Sequence, residues 1–85
     1  MKWRVAVART AEKELTRLST ENQQRVAKSI RMLEEDPFLP GSKRLKGREE
    51  FRIRVGDYRV LYIVDHRSRS VTIVAIGHRR EVYRR

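Results

Sequence analysis

Cysteine is absent from the 85 residues, which removes disulfide frameworks, thiolate metal sites and a cysteine nucleophile together. Two histidines, His66 and His78, are too few to build a zinc cluster, and no metal or cofactor is expected. No apolar run approaches the ~18 residues that span a bilayer, and the N-terminus has no charged-then-apolar leader. We therefore expect a cytoplasmic protein that does not engage membranes. A Gly-rich phosphate loop, a Ser-His-Asp set and a close carboxylate pair are also missing, so nucleotide hydrolysis and glycosidase chemistry have no support. A chain this short is expected to form one domain, 1–85, burying only about 60% of the surface its unfolded form exposes. Its site must then be an open surface.

Positive charge is what the sequence has in excess. The net charge is +10, and it is unevenly placed: residues 1–42 carry 8 Lys+Arg against 6 Asp+Glu, whereas residues 43–85 carry 13 against 5. Such asymmetry points to a polyanionic partner. Within the basic half, Phe51-Arg52-Ile53-Arg54-Val55 alternates apolar with basic, the period of a half-buried strand, and Tyr58, Val60 and Tyr62 supply a matching apolar set. Gly56-Asp57 between them reads as a two-residue hairpin turn, which fixes the register. Val55 then faces Tyr58, Ile53 faces Val60 and Phe51 faces Tyr62 on one side; Arg54 faces Arg59 and Arg52 faces Leu61 on the other. Like charges opposed across strands oppose folding by ~1 kcal/mol in bulk water and more where water is excluded. Arginine cannot shed its proton, and its planar fork matches phosphate or carboxylate oxygens two at a time, so an external anion best explains the pair. The competing reading is a solvated face whose arginines screen one another.

The remaining periodicities give an α+β fold of order β-α-α-β-β-β. Trp3, Val5 and Val7 alternate with Lys2, Arg4 and Ala6 in a first strand over 2–8. Thr10 is placed to cap a helix over 10–18 with Ala11, Leu15 and Leu18 on one face. Thr20 and Gln23 form a capping-box pattern for a second over 21–35, carrying Val26, Ala27, Ile30 and Leu33 inward. Pro37 and Pro40-Gly41 end it. A short strand at 43–46 precedes strands at 50–55, 58–65 and 70–76. With a four-residue loop at 66–69, Tyr62 should face Ile73 and Val60 face Ala75 on the core side, while Leu61 faces Val74 and Arg59 faces Ile76 on the other. The helices form a hairpin packed on one face of a small, mainly antiparallel sheet, leaving the arginine face uncovered by them.

RNA can be cleaved without a metal because the ribose 2′-hydroxyl can attack its own phosphate, given positioning, charge neutralisation and the movement of two protons. Arg52, Arg54, Arg59 and Arg79 suit charge neutralisation. Tyr83 is a proton carrier or a stacking platform for a base, with packing on the sheet edge as the plainer alternative. His78 is the nearby group that ordinarily titrates near neutrality. Lys43, Arg44, Lys46 and Arg48 form a basic loop able to track a nucleic-acid backbone, and His78 and Arg80 are placed with them as RNA-binding candidates.

The stretch Phe51-Arg52-Ile53-Arg54-Val55-Gly56-Asp57-Tyr58-Arg59-Val60-Leu61-Tyr62, followed by Ile76-Gly77-His78-Arg79-Arg80-Glu81-Val82-Tyr83, resembles the RelE/ParE superfamily of toxins from toxin–antitoxin pairs, on its RelE side. The likeness extends over the two leading helices and the loop Asp36-Pro37-Phe38-Leu39-Pro40-Gly41. It implies a first strand beside the last, cleavage of messenger RNA in the ribosomal A site, against 16S ribosomal RNA, and silencing by an acidic, RelB-like antitoxin. By position, the resemblance implies that the family's catalytic basic pair falls on Arg52 and Arg54. Its phosphate-binding arginines fall on Arg59 and Arg79, and its tyrosine on Tyr83. Well-known members have lysines at the first pair; arginine is a poor general base because it stays protonated. A ParE-like toxin that binds DNA gyrase without cutting, and a non-catalytic RNA-binding module, are the alternative readings.

Overall fold

The computed structural model describes residues 2–38 and 50–78, together with the backbone of 43–44. Strand β1, Arg4–Val7, shows the expected alternation, with Arg4 and Ala6 exposed and Val5 and Val7 half-buried. Chain direction changes at a single residue: the Ala8 amide donates to the Ile73 carbonyl at 2.8 Å, while the Ala8 carbonyl accepts from the Glu12 amide at 2.9 Å. Helix α1, Arg9–Thr16, therefore begins before Thr10, and its N-cap Ala8 supplies no side-chain hydrogen bond. The expected Thr10 cap is corrected accordingly. Thr10 Oγ1 donates instead to the Val74 carbonyl at 3.5 Å.

Helix α2, Thr20–Met32, is capped one residue earlier than expected, by Ser19, whose hydroxyl accepts the Asn22 amide at 3.2 Å. Gln23 donates from Nε2 to the Thr16 and Leu18 carbonyls, satisfying acceptors exposed where α1 ends. The helix stops at Met32, short of the expected 35. Thereafter Glu34 gives its carbonyl to the Trp3 amide at 2.7 Å.

Four further strands follow: β2, Lys43–Arg44; β3, Glu50–Val55; β4, Tyr58–Asp65; and β5, Ser70–His78, two residues longer than its apolar pattern suggested. The sheet order is β1-β5-β4-β3-β2. The first strand lies parallel to the last and every other pairing is antiparallel. This is the expected α+β arrangement, with β2 as a short fifth strand.

The β3–β4 register is the one the two-residue turn dictates, from Val55 opposite Tyr58 to Phe51 opposite Tyr62. Between β4 and β5 the expected register holds at Tyr62 and Ile73 and then shifts, placing Leu61 opposite Ala75, Val60 opposite Ile76 and Arg59 opposite Gly77. A bulge at Val74 inserts one extra residue on β5. It exchanges Ala75 and Ile76 between faces, so the larger side chain enters the core, where burying it stabilises the fold by about 1.5–3 kcal/mol. Ile76 is 1% exposed.

Ala11, Val26, Ile30 and Leu33 of the helical side pack against Ile53, Val55, Val60, Tyr62, Val64, Val71, Ile73 and Ile76 of the sheet. Tyr62 is fully buried and donates its hydroxyl to the Pro37 carbonyl at 2.7 Å, giving the polar tip an acceptor inside the core. Phe38 extends this anchor: its ring lies edge-on to Trp3 and Phe51 and stacks on His66. The Arg69 guanidinium, from a residue at φ 51°, lies over the Trp3 ring at 4.7 Å.

Candidate functional site

Gly56 has φ +60°, and no positive φ occurs at Asp57, which makes the β3–β4 connection a type II′ turn with glycine at its first central position. That turn matches the right-handed twist of the strands it joins. The Arg25 guanidinium lies against it, 3.2 Å from the point a Gly56 side chain would occupy.

Strand alternation then presents Arg52 and Arg54 of β3, and Arg59, Leu61 and Ile63 of β4, on the face opposite the helices. Arg54 and Arg59 are directly paired, and Arg52 stands opposite Leu61. At the far side of β3 the backbone of Lys43 is paired with Arg52. The three arginines of the hairpin thus share one face.

Their environments differ. Arg54 is exposed and Arg52 half-buried, whereas Arg59 is only 6% exposed, a departure from the open setting expected for it. Its strand is central, with β3 on one side and β5 on the other. Leu61, next on the same face of β4, is buried against Ala75 and Val74 in a small second apolar cluster. The outer face therefore carries its own apolar patch beside the cations, ending in exposed Ile63.

His78 is placed differently from the expectation that grouped it with the arginines. Paired with Tyr58, it follows Ile76 by two residues and so shares the helix-facing side of β5. There its ring sits edge-on to Tyr58 at 6.0 Å in a cleft formed with Glu14, Arg17, Leu18, Ile76 and Gly77. Glu14 Oε1 accepts the Ile76 amide at 3.0 Å. Sequence reasoning missed this contact, although a carboxylate three residues after Ala11, on the apolar side of α1, was its available signal.

Asp65 lies at the opposite end of β4. A hydrogen bond from the Ser68 side chain, followed by the backbone amides of Arg67 and Ser68, holds its carboxyl below the ordinary carboxylate value. It closes the 66–69 turn and takes no part in the arginine face. Arg79, Arg80, Tyr83, Lys46 and Arg48, all singled out in the sequence, lie outside the described residues, as do the side chains of Lys43 and Arg44.

Comparison with known proteins adds an independent line. Residues 5–83 match the family model of the ParE toxin of the type II toxin–antitoxin system parDE. A relative from Methanocaldococcus jannaschii named RelE1 is 33% identical over 88 residues, spanning 99% of this chain and 98% of its own length. Among solved structures, a chain of the RelBE2 toxin–antitoxin complex of Mycobacterium tuberculosis superimposes with a TM-score of 0.80 at 28% identity, covering 93% of this chain and 100% of that one. A chain of the RelE–RelB complex of Pyrococcus horikoshii gives 0.81 at 25% identity, covering 95% and 99%.

Proposed function

The chain belongs to the RelE/ParE superfamily of toxins from type II toxin–antitoxin systems, and from that premise we propose that it is a ribosome-dependent endoribonuclease. In this reading it cleaves messenger RNA in the A site, beside 16S ribosomal RNA, and so stops translation. Its carrying observation is the gathering of Arg52, Arg54 and Arg59 on one face of the β3–β4 hairpin. Cleavage proceeds as the 2′-oxygen bonds to the adjacent phosphorus while the bond to the 5′-oxygen breaks, leaving a cyclic phosphate and a 5′-hydroxyl. One proton leaves the 2′-hydroxyl and one reaches the departing oxygen.

Charge builds on the phosphoryl oxygens in the transition state, and guanidinium groups held in place stabilise it without reorganising. Arg59, nearly excluded from water, acts more strongly on such charge than an exposed cation would. Arg79, next along from His78, joins it as the second phosphate ligand. Arginine at 52 and 54 cannot serve as base, so both act electrostatically. His78 faces the helix side, which favours Tyr83 or ribosomal RNA as the proton carrier. An acidic antitoxin silences the toxin by covering the cationic face; that the chain has an antitoxin partner is supported by the toxin–antitoxin complexes solved for its relatives.

A second reading follows from the matched family model, that of a ParE toxin: inhibition of DNA gyrase with no RNA cleavage. Primer-extension mapping on programmed ribosomes separates the two. Breaks within A-site codons are the expected result. Unbroken messenger RNA together with inhibited gyrase supercoiling supports the ParE-like reading instead.

A further inference from the structure

We propose that Glu14 is a positioning residue for the candidate active face, its carboxylate bonding a backbone amide of β5 that no strand among the described residues pairs. The catalytic half of this inference rests on the nuclease reading; the structural half does not. β1 has four residues and ends opposite Ile73, whereas β5 runs nine residues to His78. Beyond Ile73, therefore, the side of β5 away from β4 has no strand to bond among the described residues. The bulge at Val74 loosens the ladder at the same point.

Backbone donors and acceptors left on such an edge need hydrogen-bond partners, and a short unpartnered stretch frays. α1 lies along this edge and supplies them from side chains. Thr10 Oγ1 reaches the Val74 carbonyl at a long 3.5 Å. Glu14 Oε1 takes the Ile76 amide at 3.0 Å, in a part-buried bond linking residues 62 apart in sequence. Bonds to an ionised carboxylate are roughly twice as strong as neutral ones, so Glu14 is the firmer of the two anchors. Ala11, one turn earlier on α1, is completely buried and fixes the helix from which Glu14 projects.

What this anchor controls is the rung beside it. Ile76 pairs with Val60, and the next rung pairs Gly77 with Arg59. Gly77 has no side chain, so the backbone of β5 itself bounds Arg59 on that side. Holding Ile76 in register thus holds the strand backbone beside the buried Arg59.

The test compares Glu14→Ala with Glu14→Gln, whose amide oxygen can accept the same bond. In Glu14→Ala the Ile76 amide is expected to exchange with solvent at least ~10-fold faster, while Val71 and Ile73 keep their protection. The Arg59 Nε–H resonance shifts, and kcat for A-site cleavage falls ~10-fold at unchanged KM. Glu14→Gln restores all of these toward the parent. Should Glu14→Ala fail to fold, Glu14→Asp, which keeps the charge and shortens the reach by one methylene, is read in the same way. Unchanged Ile76 exchange overturns the anchor, and faster exchange with an unmoved Arg59 resonance or unchanged kcat overturns the positioning role. If the parent protein cuts no RNA, the nuclease reading fails on that result, and exchange and the Arg59 resonance still decide the inference about Glu14.

Discussion

Burial normally selects against a charge that cannot be given up, and Arg59 holds its guanidinium on a central strand at 6% exposure. Placement of this kind suits a group whose field must act on a phosphate rather than on water. Arg59→Ala and Arg79→Ala are each expected to lower the single-turnover rate on programmed ribosomes at least ~10²-fold, the usual scale for losing one transition-state donor. Thermal melts run alongside separate this from the packing lost with the buried Arg59 stem. Full activity in both variants contradicts the roles assigned to them. Arg54, exposed and directly opposite Arg59, makes a different prediction. Arg54→Gln removes a like-charge pair worth at most about 1 kcal/mol at a solvated site, so Tm should rise by up to about 5 °C. A lower Tm than the parent would show that the two guanidinium groups do not oppose folding.

The hairpin that carries these arginines depends on its turn. Gly56 adopts φ +60°, and an added side chain would meet the Arg25 guanidinium at 3.2 Å. Gly56→Ala should therefore cost about 1–2 kcal/mol in urea unfolding, from the backbone conformation alone; an unchanged midpoint would mean that the turn relaxes into another type. This hairpin was legible in advance because alternation and a two-residue turn leave one register that buries Phe51, Ile53, Val55, Tyr58, Val60 and Tyr62 together. The β4–β5 pairing was only half legible. Val71, Ile73, Val74, Ala75 and Ile76 are almost continuously apolar, so no alternation betrays the bulge at Val74. Helix starts were displaced by a residue or more for a related reason. Thr10 and Ser19 both have capping chemistry, but the Ala8–Ile73 rung decides where α1 begins, and that rung joins residues far apart in sequence.

For the protein as a whole, the helices shield one face of the sheet and the hairpin arginines occupy the other, so under the proposed function an encounter with RNA would be a matter of charge. Binding of a single-stranded RNA should weaken as salt rises, and each phosphate neutralised contributes a slope of about −0.7 in log affinity against log salt. The Arg52→Gln, Arg54→Gln double variant should lower that slope by about 1.4, measured by fluorescence anisotropy across a salt series. An unaltered slope would mean that RNA approaches from another side. Two anchors tie the sheet to the helical side, Tyr62 to Pro37 and Glu14 to Ile76.

Periodicity, turn chemistry and charge count were sufficient for the order of strands and helices, the hairpin register and the cationic side of the sheet. Each of these follows from interactions between residues near in the chain, or from burying one apolar stripe. The adjacency of β1 and β5 had no local signal and entered only through family resemblance, and its parallel sense had no advance reading. The bulge that turns Ile76 inward, the burial of Arg59, the helix-facing position of His78 and the bond from Glu14 had no such advance reading. All arise where segments distant in sequence compete for the same space, and packing resolves that competition only once the chain has folded.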